Sequence, residues 1–386
     1  MVHRKVGRKE GKQVMERLTT PLELAQAAVE TIMRKYDAAD LPPKGHFHYH
    51  QGVFLSGVYK NYLLNGEESW YQYIKSWVDA MLDEEGNILN YGGLHLDDIM
   101  PGNLLFPIYE RTKNAKYKKA LDELMQNMLI YPKNKEGGFW HMKQFANQMW
   151  LDGIYMGGPF VVKYASMFHC PEYYDISVTQ ALLMQEKTRD EKTGLWYHAY
   201  DCERKAEWAD PVTGCAPEFW GRSIGWVPVA ILEELDYIPE SHARYKDLCK
   251  LVKDLLCALC NYQSEDGRWY QVVNKCDQPG NWLENSCSCL YTAALCKAVR
   301  KGILEEAFLK NAEMGYKGVV NSLTWEGQDI QIGNVCIGTG VGDYAFYCAR
   351  PTSTNDLHGV GAFLLMCAEM QKVMVSDRSI QESNRC

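Results

Sequence analysis

The chain lacks any run of the roughly 18 consecutive apolar residues that a membrane-spanning helix requires, so no membrane span is expected. Its basic start, Met1–Lys12, is not followed by the apolar core of a secretion signal, which makes a cytoplasmic location the expectation. Basic charge is in deficit: 41 Lys and Arg against 49 Asp and Glu leave a net charge of −8. With no basic run beyond Arg4, Lys5, Arg8 and Lys9, a nucleic-acid surface is excluded and those residues read as a solvated terminus. Long stretches of period-two alternation are also missing, so any strands are short.

Cysteine is not scarce, with 14 in 386 residues, but correctly spaced pairs are. Cys257–Cys260 and Cys287–Cys289 each lack a second pair, and they sit in apolar helical patterns, which reads as buried structural thiol. Hydrophobic residues make up 46% of the chain, enough for a large core.

Helices are announced in two alternating series. Thr20-Pro21-Leu22-Glu23 places a capping Thr, a proline at the first helical position and the Glu of a capping box, opening a helix that is expected to end near Tyr36. Apolar residues recur at helical spacing at Trp70, Ile74, Trp77 and Met81; at Tyr117, Leu121, Leu124 and Met128; at Tyr245, Leu248, Val252 and Leu255; and at Phe308, Ala312, Gly315 and Val319. A helix over Asp175–Lys187 makes six. Between these lie six stretches richer in aromatic and small residues, beginning near Tyr49, Asp97, Asp152, Arg222, Glu284 and Asp356, with the look of helices buried on several sides.

The second series recurs about every 50–70 residues, each member starting polar and turning small and apolar, as in Trp150-Leu151-Asp152-Gly153 and Trp220-Gly221-Arg222-Ser223. Gly-aromatic turns precede several of them: Gly137–His141, Gly194–His198 and Gly267–Tyr270, read as short hairpins on one rim. Six outer and six inner helices with inner starts on one side describe an all-α (α/α)6 barrel, against the alternative of an open solenoid. Residues 20–375 are expected to form this single domain, flanked by tails over 1–19 and 376–386. The inner helix starts would aim their positive ends into one basin suited to an anion, walled by Tyr49, Trp140, Trp196, Trp220 and Trp226, with Arg222 as a two-pronged donor for a carboxylate.

Within this pattern, Gly137–Phe160 concentrates His141, Asn147, Trp150, Asp152 and Met156. Asp152 is either a helix cap or a buried acid, and its polar and aromatic company favours the acid. Neither His141 nor His198 has a second His at ligand spacing, so no metal and no cofactor are expected.

The motifs HLDDIMPG (His95–Gly102), EGGFWH (Glu136–His141), NQMWLDGIYMGGPF (Asn147–Phe160), GLWYHAYD (Gly194–Asp201) and FWGRSIGW (Phe219–Trp226) resemble those of the unsaturated rhamnogalacturonyl hydrolases of glycoside hydrolase family 105. These are close relatives of the family 88 unsaturated glucuronyl hydrolases, and the match in order and spacing runs from Tyr49 to Asp356. The resemblance implies an (α/α)6 barrel that removes a 4,5-unsaturated uronate from the non-reducing end of an oligosaccharide left by a polysaccharide lyase. It places the catalytic aspartates on Asp152 and Asp97, and the substrate pocket on Tyr49, His141, Met156, His198, Arg222 and Trp226. The implied chemistry is hydration of an enol ether, with Asp152 expected to be held protonated by burial and by an ionised Asp97. Two other readings of function remain at this point: a glucuronyl hydrolase acting on glycosaminoglycan or ulvan fragments, and a non-catalytic carbohydrate-binding toroid.

Overall fold

A computed structural model describes residues 20–383, with side chains described as far as Val375; the expected tail over 1–19 lies outside the described residues. Among the described residues, thirteen α-helices and eight strands of two or three residues follow one another. The first, α1 (Pro21–Lys35), starts at the anticipated capping box: Thr20 Oγ1 accepts the Glu23 N–H at 3.2 Å, and the Glu23 carboxylate accepts the Thr20 N–H at 2.9 Å.

The outer helices are α1, α3 (Glu68–Ala80), α5 (Ala115–Ile130), α7 (Tyr174–Thr188), α9 (Tyr245–Cys260) and α11 (Leu309–Asn321). Each buries a stripe; in α9 it is Leu248, Leu251, Val252, Leu255, Leu256 and Leu259, spacing that keeps one face inward at 3.6 residues per turn. The inner helices are α2 (Tyr49–Asn65), α4 (Leu105–Thr112), α6 (Asp152–Met167), α8 (Gly221–Glu234), α10 (Asn285–Arg300) and α13 (Leu357–Ser383). These are walled in by neighbours, so burial goes round the helix: every residue of α10 from Asn285 to Cys296 is buried.

Inner helices touch in the order α2, the segment leading into α4, α6, α8, α10, α13 and back to α2. The ring is therefore closed, which excludes the open solenoid. Closure needs close approach of α13 to α2. A Cβ on Gly361 would stand 2.6 Å from the Val53 carbonyl, and one on Gly57 would stand 2.7 Å from the Leu364 Cβ. The last helix also runs on to Ser383, into the stretch expected as a tail.

Two local expectations change. The second inner element does not open as an α-helix: 3-10 turns over Leu96–Asp98 and Met100–Leu104 precede α4. Pro101 has no N–H to give to the Asp97 carbonyl and would clash with it in an α-helix, so the chain tightens to bonds such as Gly102 N–H to Ile99 O at 2.9 Å. The three Gly-aromatic turns do fold back on the ends of outer helices, as the bridges Lys133–Phe139 and Arg189–Trp196 show. The longer pairing, however, joins successive units: β1 (Gln148–Trp150) runs antiparallel to β2 (Ala199–Asp201), with Trp150 opposite Ala199.

All 13 cysteines among the described residues are free thiols, and Cys287 and Cys289 are fully buried. No described helix is long and apolar enough to cross a membrane.

Candidate active site

The inner helices begin at one end of the ring, and there the structure encloses a cavity of about 230 Å³. Tyr49, Asp97, His141, Asp152, Met156, Arg222 and Trp226 all line it. Asp152 is the first residue of α6, and its carboxylate caps nothing: Oδ2 faces His198 Nε2 at 3.1 Å. The buried-acid reading of this residue therefore holds over the capping one. Asp97 sits on its 3-10 turn, 6% exposed, with His141 Nε2 3.7 Å from Oδ1.

Rim strands set these positions. Leu96 N–H donates to the His141 carbonyl at 3.1 Å and His141 N–H to Gln148 O at 2.9 Å, tying the turn at Gly137–His141 to both aspartate segments. One step on, Leu151 N–H donates to His198 O at 3.0 Å, which sets the His198 ring behind Asp152.

His198 is thus a correction to the expected pocket. It is fully buried and does not line the cavity, because both ring nitrogens are engaged. Its Nδ1 lies 2.6 Å from the Tyr347 hydroxyl, which accepts the Gly342 N–H at 3.3 Å. Donation of the Tyr347 proton to Nδ1 completes that hydroxyl's bonding and assigns the imidazole proton to Nε2, aimed at Asp152. Trp140 and Trp196 are corrected too: Trp196 is 1% exposed and packs in the core, Trp140 packs half-buried against it, and neither reaches the cavity. Trp150 takes that place, stacked on His141 with ring centres 4.4 Å apart. Trp220 and Trp226 do line it, the latter stacked on Tyr155 at 4.6 Å.

The two aspartates shift in directions opposite to the expectation. Burial, and after it the Asp152 charge, push the Asp97 carboxyl well above its ordinary value. For Asp152 burial again pushes upward, but it is outweighed by the hydrogen bond from His198 and the charges of His198, His141 and Arg222, and the value falls. His141 itself is lowered to about 4, chiefly by burial, so at neutral pH it adds no charge; the His198 bond and Arg222 remain.

Arg222, 2% exposed, lies over Trp220 at 4.6 Å and donates to two backbone carbonyls, Cys336 O from NH1 and Ile337 O from NH2 at 2.9 Å. It makes no direct ion pair among the described residues, and its charge acts on Asp152 and Asp356 at longer range from the cavity wall. A larger cavity of about 690 Å³ lies towards the other end of the ring, but there Glu233 is already ion-paired to Lys163 and Lys60, whereas Arg222 in the smaller one has no direct ion-pair partner among the described residues.

The sequence reading missed Tyr347, which carries no motif signal because it lies on the short α12 (Tyr344–Cys348) of a connecting segment. It also passed over His48 and His50 as lining residues.

The model of glycosyl hydrolase family 88 matches residues 24–374. The chain belongs to that family. A family 105 glycoside hydrolase of C. acetobutylicum ATCC 824 superposes with a TM-score of 0.86 and 31% identity, covering 90% of this chain and 99% of that one. The unsaturated rhamnogalacturonyl hydrolase YesR of Bacillus subtilis (strain 168) is 26% identical over 250 residues, 63% of this chain and 68% of YesR. The unsaturated glucuronyl hydrolase of Bacillus sp. GL1 shares the fold with a TM-score of 0.69 at 14% identity, covering 90% of this chain and 95% of its own. The family 88 chain is thus a glycoside hydrolase on an (α/α)6 toroid.

Proposed function

We propose that this family 88 glycosidase removes 4,5-unsaturated galacturonate from the non-reducing end of lyase-generated rhamnogalacturonan oligosaccharides. The observation that carries the reading is the pairing of one guanidinium without a direct ion pair, Arg222, with two buried aspartates, Asp97 and Asp152, in a cavity walled by Trp and Tyr. An anionic sugar with one site to protonate fits that set. The name of YesR supports a rhamnogalacturonan substrate.

In this reading the uronate carboxylate lies against Arg222. Its charge offsets the guanidinium and its bulk displaces water, so Asp152 rises and takes up the proton that Asp97 holds in the empty site. Asp152 then protonates C4, a water attacks C5, and the proton of that water returns to the Asp152 carboxylate. The C5 hemiketal opens to a ketone, the anomeric hemiacetal collapses, and the remaining oligosaccharide leaves with one water consumed. His198, fixed by Tyr347, keeps Asp152 Oδ2 as an acceptor throughout and leaves the other oxygen for substrate.

A panel of pectic, ulvan-type and glycosaminoglycan disaccharides made by lyases tests the substrate, with loss of the double-bond absorbance as readout. Fastest turnover on the rhamnose-linked disaccharide is expected; preference for a glycosaminoglycan product would replace that substrate. Turnover in heavy water tests the mechanism: deuterium is expected at C4 and solvent oxygen at C5, whereas label at the anomeric carbon would mean ordinary glycoside hydrolysis.

A further inference from the structure

The histidines of His46–His50 have no part in the chemistry above, yet one of them joins a second cluster at the mouth of the same cavity. His50 stands on the first turn of α2, Asp356 just before α13 and His358 on the first turn of α13. One donor atom from each lies within 4.8 Å of the other two.

The hydrogen bonding of His358 makes this cluster unusual. His358 is fully buried, and its Nε2 lies 3.0 Å from the Cys336 carbonyl, which can only accept, so Nε2 carries a proton. In the neutral ring Nδ1 is then a bare lone pair. It sits 2.7 Å from Asp356 Oδ1, close enough for an ion pair, yet it has no aligned hydrogen-bond partner. Two acceptors facing each other at that distance require either a second proton on the ring or a cation between them.

His50 is the third member of the cluster. Its Nε2 points at the same Asp356 oxygen from 3.7 Å, while its Nδ1 faces His48 Nδ1 at 3.1 Å, a contact in which one of the two carries the proton. With that proton on His50 Nδ1, three lone pairs converge on one point. Ligand atoms bound to zinc at ~2.0–2.1 Å in a tetrahedron lie roughly 3.3 Å apart, a value the two separations bracket. The His358 Nε2 bond to a backbone carbonyl is the usual outer support of a metal-bound imidazole. The cationic group facing the cluster is Arg222, which is already anchored on the Cys336 and Ile337 carbonyls.

We propose that His50, Asp356 and His358 bind one divalent transition-metal ion of the zinc class, clasping the first and last inner helices where the ring closes. Two imidazoles and a carboxylate are the donor set such an ion takes, with a fourth position open. That position faces the cavity, since His50 lines it. The hydration chemistry at Asp152 needs no metal, so this site stands or falls separately; the expectation of no metal rested on His141 and His198, which are not among its ligands.

The test uses the full chain without a polyhistidine tag, stripped with a chelator and titrated with Zn²⁺ by calorimetry and with Co²⁺ by visible absorbance. One ion per chain is expected, with a rise in Tm and the intense d–d bands of four-coordinate Co²⁺. His358→Ala and Asp356→Asn should each lower affinity at least a hundredfold, and His50→Ala, at a partly exposed position, covers the case in which those variants do not fold. His242→Ala, at the outer pair with Asp175, should bind as wild type. Absence of stoichiometric binding to the wild type, or binding unaffected by His50→Ala, would overturn the site. So would nitrogen NMR showing His358 protonated on both nitrogens with saturating Zn²⁺ present, which would mark a simple ion pair.

Discussion

His198 Nε2 lies 3.1 Å from Asp152 Oδ2 while its Nδ1 lies 2.6 Å from the Tyr347 hydroxyl, so the acid is held by a histidine whose tautomer another residue assigns. Tyr347→Phe removes that assignment and leaves the packing on Trp220. We expect kcat to fall by about tenfold or more with little change in KM, since the ring can then present a lone pair to Asp152. Equal kinetics for wild type and variant would show that the hydroxyl does not matter.

Asp152→Asn removes the group that both gives and takes the proton. A loss of at least ~10²–10⁴-fold in kcat is expected, the usual worth of general acid–base help. Binding of an unsaturated disaccharide, measured by calorimetry, should survive. Retained turnover would move the chemistry to another residue.

The opposite shifts of the two aspartates set the pH profile. Asp97 is raised, so the pair loses its one proton only as pH climbs through that raised value, and C4 then has no donor. Asp152 is lowered, so a second proton arrives only as pH falls, and the water then has no base. A bell in kcat/KM is expected, and Asp97→Asn should shift its alkaline limb. An unshifted limb would take Asp97 out of the pair.

Arg222→Lys keeps a charge but not the two-point anchoring on Cys336 O and Ile337 O. An increase in KM of roughly ten- to a hundredfold is expected, on the scale of one charged hydrogen bond. Unchanged KM would mean the carboxylate binds elsewhere.

Stability has its own pH dependence far from the site. Burial raises the carboxyl of Glu234, at the end of α8, to about 8, with Ser177 pulling the other way. Between about 4.5 and 8 the folded state therefore binds more protons than the unfolded one. Stability is greatest below that window and falls as pH rises through it, by up to roughly 1.4 kcal/mol per unit. Glu234→Gln should raise Tm more at pH 8 than at pH 5, read by calorimetry; an equal shift at both would refute the raised value.

What the sequence determined by itself is whatever repeats locally. Helical spacing at Trp70, Ile74 and Trp77, the capping box at Thr20–Glu23 and the recurring polar starts at Asp97, Asp152 and Arg222 depend on neighbours a few residues away, so the alternating helices and most cavity positions were legible. Tertiary structure alone decided what depends on residues distant in the chain. Trp196 and Trp150 both flank polar clusters, and only the pairings they enter, Trp196 with Arg189 and Trp150 with Ala199, leave one in the core and the other in the cavity. His198 stands behind Asp152 because Leu151 and Tyr347 hold it there. Asp97 and Asp152 shift in opposite directions because the His198 hydrogen bond and the Arg222 charge reach Asp152 from distant segments, against the same burial that raises its partner. His50 and His358 meet only because the last helix closes the ring on the first, a distance no spacing rule along the chain can carry.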